Sequence, residues 1–229
     1  MNFSVVRGAD TYFGRAVAQE LSGLGKNLLL VGNDRDILED LEGWIRENSV
    51  VKVFHFISDD AFTESIIKLC DHINTHFTVD ILFSYIETDI SQKFADQNIM
   101  HLDRKLKLNY VSAPVYTHQL LPNLLLNADA YIINAVGILE SPSQHTEILK
   151  QLNVNFSTYL QFDLRDFDIK VAAWDVNLVN ASEGFHEYKY YSKKAKEFLQ
   201  NLFCQNIVHR IISGIENFIV INFTLISRL

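Results

Sequence analysis

Short runs rich in apolar and β-branched residues alternate along this chain with longer runs in which apolar residues recur every three or four positions. The first kind predicts buried strands and the second amphipathic helices. Strands are expected at Phe3–Val6, Asn27–Val31, Val51–Phe56, Val79–Phe83, Ala130–Asn134, Ile169–Trp174 and Phe218–Phe223. Helices are expected at Phe13–Leu24, Asp36–Glu47, Ala61–His76, Leu102–Leu125, Thr146–Asp166 and Lys189–Ile212. Such alternation is the pattern of an α/β protein, a parallel sheet covered by helices on both faces. Among the prolines Pro114, Pro122 and Pro142, the first falls inside the fourth helix and is expected to bend it.

Composition narrows the class. With 229 residues and 48% hydrophobic content the chain can bury one sizeable core, and no linker, repeat or low-complexity tract divides it, so residues 1–229 read as a single domain. The net charge of -8 gives no electrostatic basis for holding a phosphate polymer, which argues against a nucleic-acid partner. Cys70 and Cys204 are too few for a disulfide framework or a cysteine-built metal site, and they suit a reducing compartment. The histidines are scattered, with no His-Glu-x-x-His, and neither a Cys-x-x-Cys nor a Gly-x-Ser-x-Gly occurs, so no metal site and no hydrolase elbow is expected. No apolar run approaches the ~20 residues of a membrane span, and Met1 leads into the first strand without a basic-then-apolar leader. The expectation is a soluble, cytoplasmic protein without a membrane partner.

Candidate chemistry begins at the end of the first strand, in RGADTYFGRAVAQEL. Gly8 and Gly14 stand between a strand and a helix, where a dinucleotide-binding fold uses glycines to let the backbone approach a pyrophosphate at the helix N-terminus. From here the sequence resembles the short-chain dehydrogenase/reductase family over nearly its whole length. FGRAVAQELSGLGKNLLLVGNDRDILEDL is similar to that family's first helix, second strand and following helix. VDILFSYIE resembles its fourth strand and adjoining loop, and KLKLNYVSAPVYTHQLLPNLL its long fourth helix. AYIINAVG resembles the strand that delivers the catalytic serine, and DIKVAAWDVN the strand after the lysine helix. The resemblance implies a three-layer, Rossmann-type doubly wound sheet of about seven strands in the order 3-2-1-4-5-6-7. It also implies hydride transfer between NAD(P)(H) and a carbonyl or alcohol. In that chemistry a tyrosine is the general acid or base, a lysine lowers its pKa and holds the ribose, a serine hydrogen-bonds the substrate oxygen, and an asparagine serves a proton relay.

Position by position, the pattern departs from the family. Where the family has Thr-Gly-x-x-x-Gly-x-Gly, this chain has Arg7, Gly8, Tyr12 and Gly14 at the four defined places, so a tyrosine replaces the middle glycine. A side chain there is expected to fill the phosphate pocket or force the loop outward, which argues against ordinary NAD(P) binding. Arg7 and Arg15 are candidates for a phosphate contact, though surface arginines without a ligand are the commoner case. Asp34 suits a ribose 2′-hydroxyl and Arg35 a 2′-phosphate, and both alternatives stand. The family's Asn-Asn-Ala-Gly loop becomes Ser84, Tyr85, Ile86 and Glu87, so that a nucleotide is expected to meet side chains rather than a groove. The serine position falls at or near Gly137. If Lys150 is the family lysine, Thr146 stands at the tyrosine position, and a threonine hydroxyl is a far weaker acid than a phenol of pKa ~10. His145 is a substitute acid on paper, with a polar helix start as the plainer reading. Val176 and Asn177 replace the family's Pro-Gly. Of the four catalytic residues, Asn109 and Lys150 remain.

The reading that follows is a family member that has lost conventional hydride transfer and acts as a binding or partner subunit. The alternative is an NAD(P)-dependent oxidoreductase with a non-standard site. The family's dimerisation through its fourth and fifth helices implies a homo-oligomer, or a hetero-oligomer with an active relative. The fifth helix carries Leu149, Leu152, Phe156, Tyr159 and Leu160 at helical spacing for such a contact or for the core. Tyr190 and Lys194 reproduce the spacing of the catalytic Tyr-x-x-x-Lys, but they lie beyond the sixth strand, in a covering helix with a solvated lysine face.

Overall fold

The computed structural model describes residues 1–88, 98–138, 144–177, 190–200 and 202–203. The chain alternates strand and helix through β1 (Asn2–Arg7), α1 (Tyr12–Gly23), β2 (Asn27–Gly32), α2 (Arg35–Asn48), β3 (Val53–Ile57), α3 (Thr63–His76) and β4 (Thr78–Thr88). Then come α4 (Ile99–Leu106), a π-helical turn (Lys107–Val111), α5 (Ser112–Leu124), β5 (Ala130–Ile138), α6 (Gln144–Asp163) and β6 (Ile169–Asn177), and residues 190–200 and 202–203 are helical. All strand pairs are parallel, in the order β3-β2-β1-β4-β5-β6. The seventh strand expected at Phe218–Phe223 and most of the last expected helix lie outside the described residues.

Two apolar cores account for the layers. On one face α1, α2 and the 190–203 stretch bury Val17, Leu21, Leu41, Ile45 and Phe198 against Leu28, Leu30, Phe83 and Ile133. On the other, α3, α5 and α6 bury Ile66, Tyr116, Leu120 and Leu160 against Val5, Leu29, Leu82 and Ile132. Neighbouring strand residues point to opposite faces, so strands apolar at consecutive positions supply both cores at once.

Two departures from the sequence reading bear on the site. β4 and β5 run on to Thr88 and Ile138, well past their expected ends. Tyr85 and Ile86 pair in register with Ala135 and Val136, and all four are buried. Aromatic and β-branched residues covered on both sides continue the ladder, and what the resemblance placed in a loop is strand. The long fourth helix is interrupted at Lys107–Val111, just before Pro114. Pro114 has no N–H to give the carbonyl four residues back, and the backbone widens into a π turn instead.

Candidate functional site

The site the sequence points to lies at the C-terminal edge of the sheet, where β1, β2, β4 and β5 end. Its first part is the turn between β1 and α1. Gly8 has φ +79°, a left-handed conformation that glycine adopts without penalty, and a Cβ there would meet the Tyr85 carbonyl oxygen at 2.8 Å. Its N–H donates to the Val31 carbonyl at 2.9 Å, and that of Ala9 to the same oxygen at 3.0 Å, which ties the turn to β2. Thr11 caps α1: its Oγ1 donates to the Gly8 carbonyl at 2.7 Å and accepts from the Gly14 N–H at 3.0 Å. Gly14 presses so closely on the turn that a Cβ would lie 1.9 Å from the Gly8 carbonyl oxygen. The outer glycines are therefore fixed by backbone contact. Tyr12 is the first residue of α1 and is 56% exposed.

At the end of β2 the polar groups have partners of their own. Asp10 reaches across from the glycine turn, and its Oδ2 accepts from the N–H groups of Asn33 at 2.7 Å and Asp34 at 3.1 Å. Asp34 caps α2 by accepting from the Ile37 N–H at 3.2 Å, and Arg35 faces Glu39 one turn on at 3.5 Å. The ribose-reading residues of the sequence analysis thus serve as helix cap and surface ion pair.

Arg7, read as a surface arginine with a phosphate contact as the other alternative, is buried. Its Nε pairs with Asp60 at 2.5 Å, and one Nη donates to Ser112 and, at 3.5 Å, to the carbonyl of Leu108 in the π turn. Tyr116 completes the group, its hydroxyl donating to Asp60 at 2.8 Å and its ring under the guanidinium at 5.4 Å. Burial and the Asp60 charge push the Tyr116 phenol well above its ordinary pKa. This cation is neutralised inside the protein and is not offered to a phosphate. Arg15 is half-exposed on α1.

The second part of the site is the end of β4 and β5. Tyr85 lies on the same face as Ala135, its register partner, and Gly137, two residues further along β5. Its ring is only 3% exposed, 5.0 Å from the ring of Phe13. Phe13 in turn meets Trp174 edge-on at 4.7 Å, and Trp174 stacks on Phe198 at 3.8 Å. From this aromatic cluster the Tyr85 hydroxyl reaches the place a side chain at 137 would take: a Cβ on Gly137 would lie 1.8 Å from it. Gly137 is thus a steric partner of Tyr85, and no hydroxymethyl group fits there while the ring stands. Ser84 and Ile86 are buried in the strand rather than lining a groove, which corrects the loop reading.

The remaining candidates stand around this end. His145 and Thr146 lie in the first turn of α6, and Lys150 follows one turn later, half-buried. Asn109 sits in the π turn, and α6 packs against that turn. Val176 is buried in β6, and Asn177 is that strand's last residue. Tyr190 and Lys194 belong to the covering helix, as expected: the Lys194 ammonium lies 5.7 Å from the Tyr190 ring centre and 3.9 Å from Glu197. Burial, with the Glu197 charge, pushes the Tyr190 phenol up, opposite to what proton transfer near neutrality requires. The sequence reading missed Asp10, Asp60 and Tyr116. It also left Tyr85 and Gly137 unlinked, although a large residue in a small-residue loop and a glycine at a serine position, on neighbouring strands, are the signal of an exchange of volume.

A parallel sheet in the order 3-2-1-4-5-6, with a glycine turn after its first strand, defines a doubly wound fold of the dinucleotide-binding type. No family model matches the chain. An uncharacterized oxidoreductase of Staphylococcus epidermidis is 28% identical over 137 residues, 59% of this chain and 57% of that protein. One of Staphylococcus aureus is 25% identical over 136 residues, 59% of this chain and 58% of its own length. The matched stretch thus spans little more than half of either relative. The L-sorbose reductase of Gluconobacter frateurii, solved with NADPH and L-sorbose, superposes with a TM-score of 0.75 at 17% identity, covering 87% of this chain and 89% of that one. A citronellol catabolism dehydrogenase of Pseudomonas aeruginosa gives 0.71 at 20% identity, over 88% and 87%. The fold is that of the short-chain dehydrogenases/reductases. Among the described residues no helix is long and apolar enough to cross a membrane.

At the positions the resemblance pairs with the family's serine and tyrosine, the chain has Gly137 and Thr146.

Proposed function

We propose that this protein is a short-chain dehydrogenase/reductase relative that no longer carries out conventional hydride transfer and works as a binding or partner subunit. The observation that carries the reading is the Tyr85 hydroxyl standing where a serine side chain at 137 would begin. A lost serine alone could be compensated by another donor. A lost serine whose space is taken by a packed aromatic ring is a site remade for packing. The preserved turn at Gly8 and Gly14 favours the second reading, an NAD(P)-dependent oxidoreductase with a non-standard site, because it leaves the backbone geometry of a cofactor turn in place.

Titrating NADH and NADPH by fluorescence and thermal shift, followed by a panel of carbonyl substrates, separates the two. The first reading expects no turnover with any pair; turnover above the uncatalysed rate would sink it.

The partner surface proposed with this reading is α6. Leu149, Leu160 and, in part, Phe156 turn inward, whereas Ile148, Leu152, Tyr159 and Phe162 form an exposed stripe at spacings of four, seven and three residues, Tyr159 at 61% and Phe162 at 66% exposure. An apolar stripe of this kind on a surface helix calls for a protein partner. A second copy of the chain is proposed as occupant, and sedimentation at micromolar concentration should give a dimer or larger species that Tyr159→Glu dissociates.

A further inference from the structure

We infer that Arg7, Ser84 and Asn134 hold ordered water between the sheet and the helices α5 and α6, an internal solvent site beneath the candidate site. The three are register partners on β1, β4 and β5, so they stand side by side in one row. All face the layer of α3, α5 and α6: Arg7 bonds Ser112 at the start of α5, and the Asn134 Nδ2 donates to the Ser157 Oγ on α6 at 3.0 Å. Each is at most 4% exposed. Yet each keeps a buried polar atom with no protein partner among the described residues: Arg7 Nη1, Ser84 Oγ and Asn134 Oδ1. Buried polar atoms without a partner are rare and costly, and their gathering in one row calls for a shared partner.

The geometry of Arg7 turns its spare nitrogen towards the row. A guanidinium is planar, and Nη1 lies on the edge opposite the Nε–H. The Nε edge faces Asp60, in the loop that leaves β3, and the strand order β3-β2-β1-β4 puts Ser84 on the other side of Arg7. Neighbouring strands lie about 4.8 Å apart, a spacing that one water spans by bonding a side chain on each. The surroundings are small: Ser112 and Ala113 open α5, Ser157 lies on α6 and Ala173 continues the row on β6, all of them buried. The chemistry of the row suits water. Arg7 offers donors, Asn134 an acceptor and Ser84 either, and a water accepts from the first, donates to the second and does one or the other with the third. An anion would accept from Arg7 but face the Asn134 oxygen, and an apolar group would satisfy none of the three. The inference does not depend on whether hydride transfer is retained.

A crystal structure of the full chain that shows ordered solvent, together with thermal unfolding of Ser84→Ala, tests it. Solvent density within hydrogen-bond distance of at least two of the three atoms is expected, and density at one or none of them would overturn the inference. Crystals grown with bromide in place of chloride separate water from an anion: an anomalous peak in the row would overturn it as well. Ser84→Ala should lower the melting temperature by about 3 °C, since it strips a partner from a water that Arg7 and Asn134 still need. If the Ser84 hydroxyl has no partner, its removal relieves a buried polar group, so an unchanged or raised melting temperature would count against the water.

Discussion

The two parts of the candidate site require their glycines for different reasons. At the β1–α1 end, Gly14 is needed because backbone lies on backbone: a Cβ would come within 1.9 Å of the Gly8 carbonyl oxygen. At the β4–β5 end, Gly137 is needed because a side chain has moved in, and a Cβ would come within 1.8 Å of the Tyr85 hydroxyl. No single replacement elsewhere relieves the first contact, since the turn that makes it is also the cap of α1 and the tether to β2. Changing one side chain relieves the second. The glycine turn serves the fold itself as well as any nucleotide, so it weighs for the second reading less than the contact of Tyr85 with Gly137 weighs for the first. The contact of Tyr85 with Gly137 has no such structural necessity, and the proposed function rests on it.

The contrast predicts a graded series. Gly14→Ala should have the largest effect, a loss of about 4 kcal/mol in denaturant unfolding, because the clash is with a carbonyl that cannot move without dismantling the turn. A loss below ~1 kcal/mol would remove the distinction between the two ends. Gly137→Ser should cost about 2 kcal/mol, an overpacking that the ring of Tyr85 can partly absorb. In a double-mutant cycle with Tyr85→Leu, whose side chain ends short of the hydroxyl position, the combined loss should fall below the sum by about 2 kcal/mol. Full additivity would mean that the two positions do not share a space.

Much of this comparison could be read from the residues, and the limits of that reading are physical. Consecutive apolar positions such as Val5 and Val6 or Leu28 to Val31 identify strands buried on both faces, so the layers and the central order were accessible. The turn was legible because glycines flanked by a strand and a helix have few other uses. Arg7 was misjudged because its counter-charge, Asp60, and the ring beneath it, Tyr116, lie more than fifty residues away in the chain. The link between Tyr85 and Gly137 needed the register of β4 on β5, which no local pattern gives. Whether Asn109 and Lys150 retain a role lies with the proposed function and its test.

The face of the sheet covered by α3 and α5 adds a pH dependence. Burial, with the Asp60 and Asp71 charges, pushes the Cys70 thiol from 9.0 up to about 12, and the Tyr116 phenol moves in the same direction. For both groups the unfolded chain loses its proton first as pH rises. Their contribution is complete below the unfolded value and is lost upward through the folded one. Stability should fall between about pH 9 and 12, at up to about 1.4 kcal/mol per pH unit for one group. Cys70→Val should flatten the lower part of that slope; an unchanged slope would locate its origin elsewhere.

The smallest effect is expected at the most conspicuous departure from the family pattern. Tyr12→Gly restores the missing middle glycine, yet the tyrosine ring is largely in solvent, and the turn around it is held by Thr11, Gly8 and Gly14. The loss should stay below about 1 kcal/mol, the ordinary penalty for glycine in a helix. On the proposed reading the same variant gains no turnover with NADH or NADPH, since the Tyr85 hydroxyl still fills the space beside Gly137. Gain of turnover from Tyr12→Gly alone would reverse the comparison, placing the obstacle at the glycine turn and leaving the exchange at β4 and β5 as a change the chemistry tolerates.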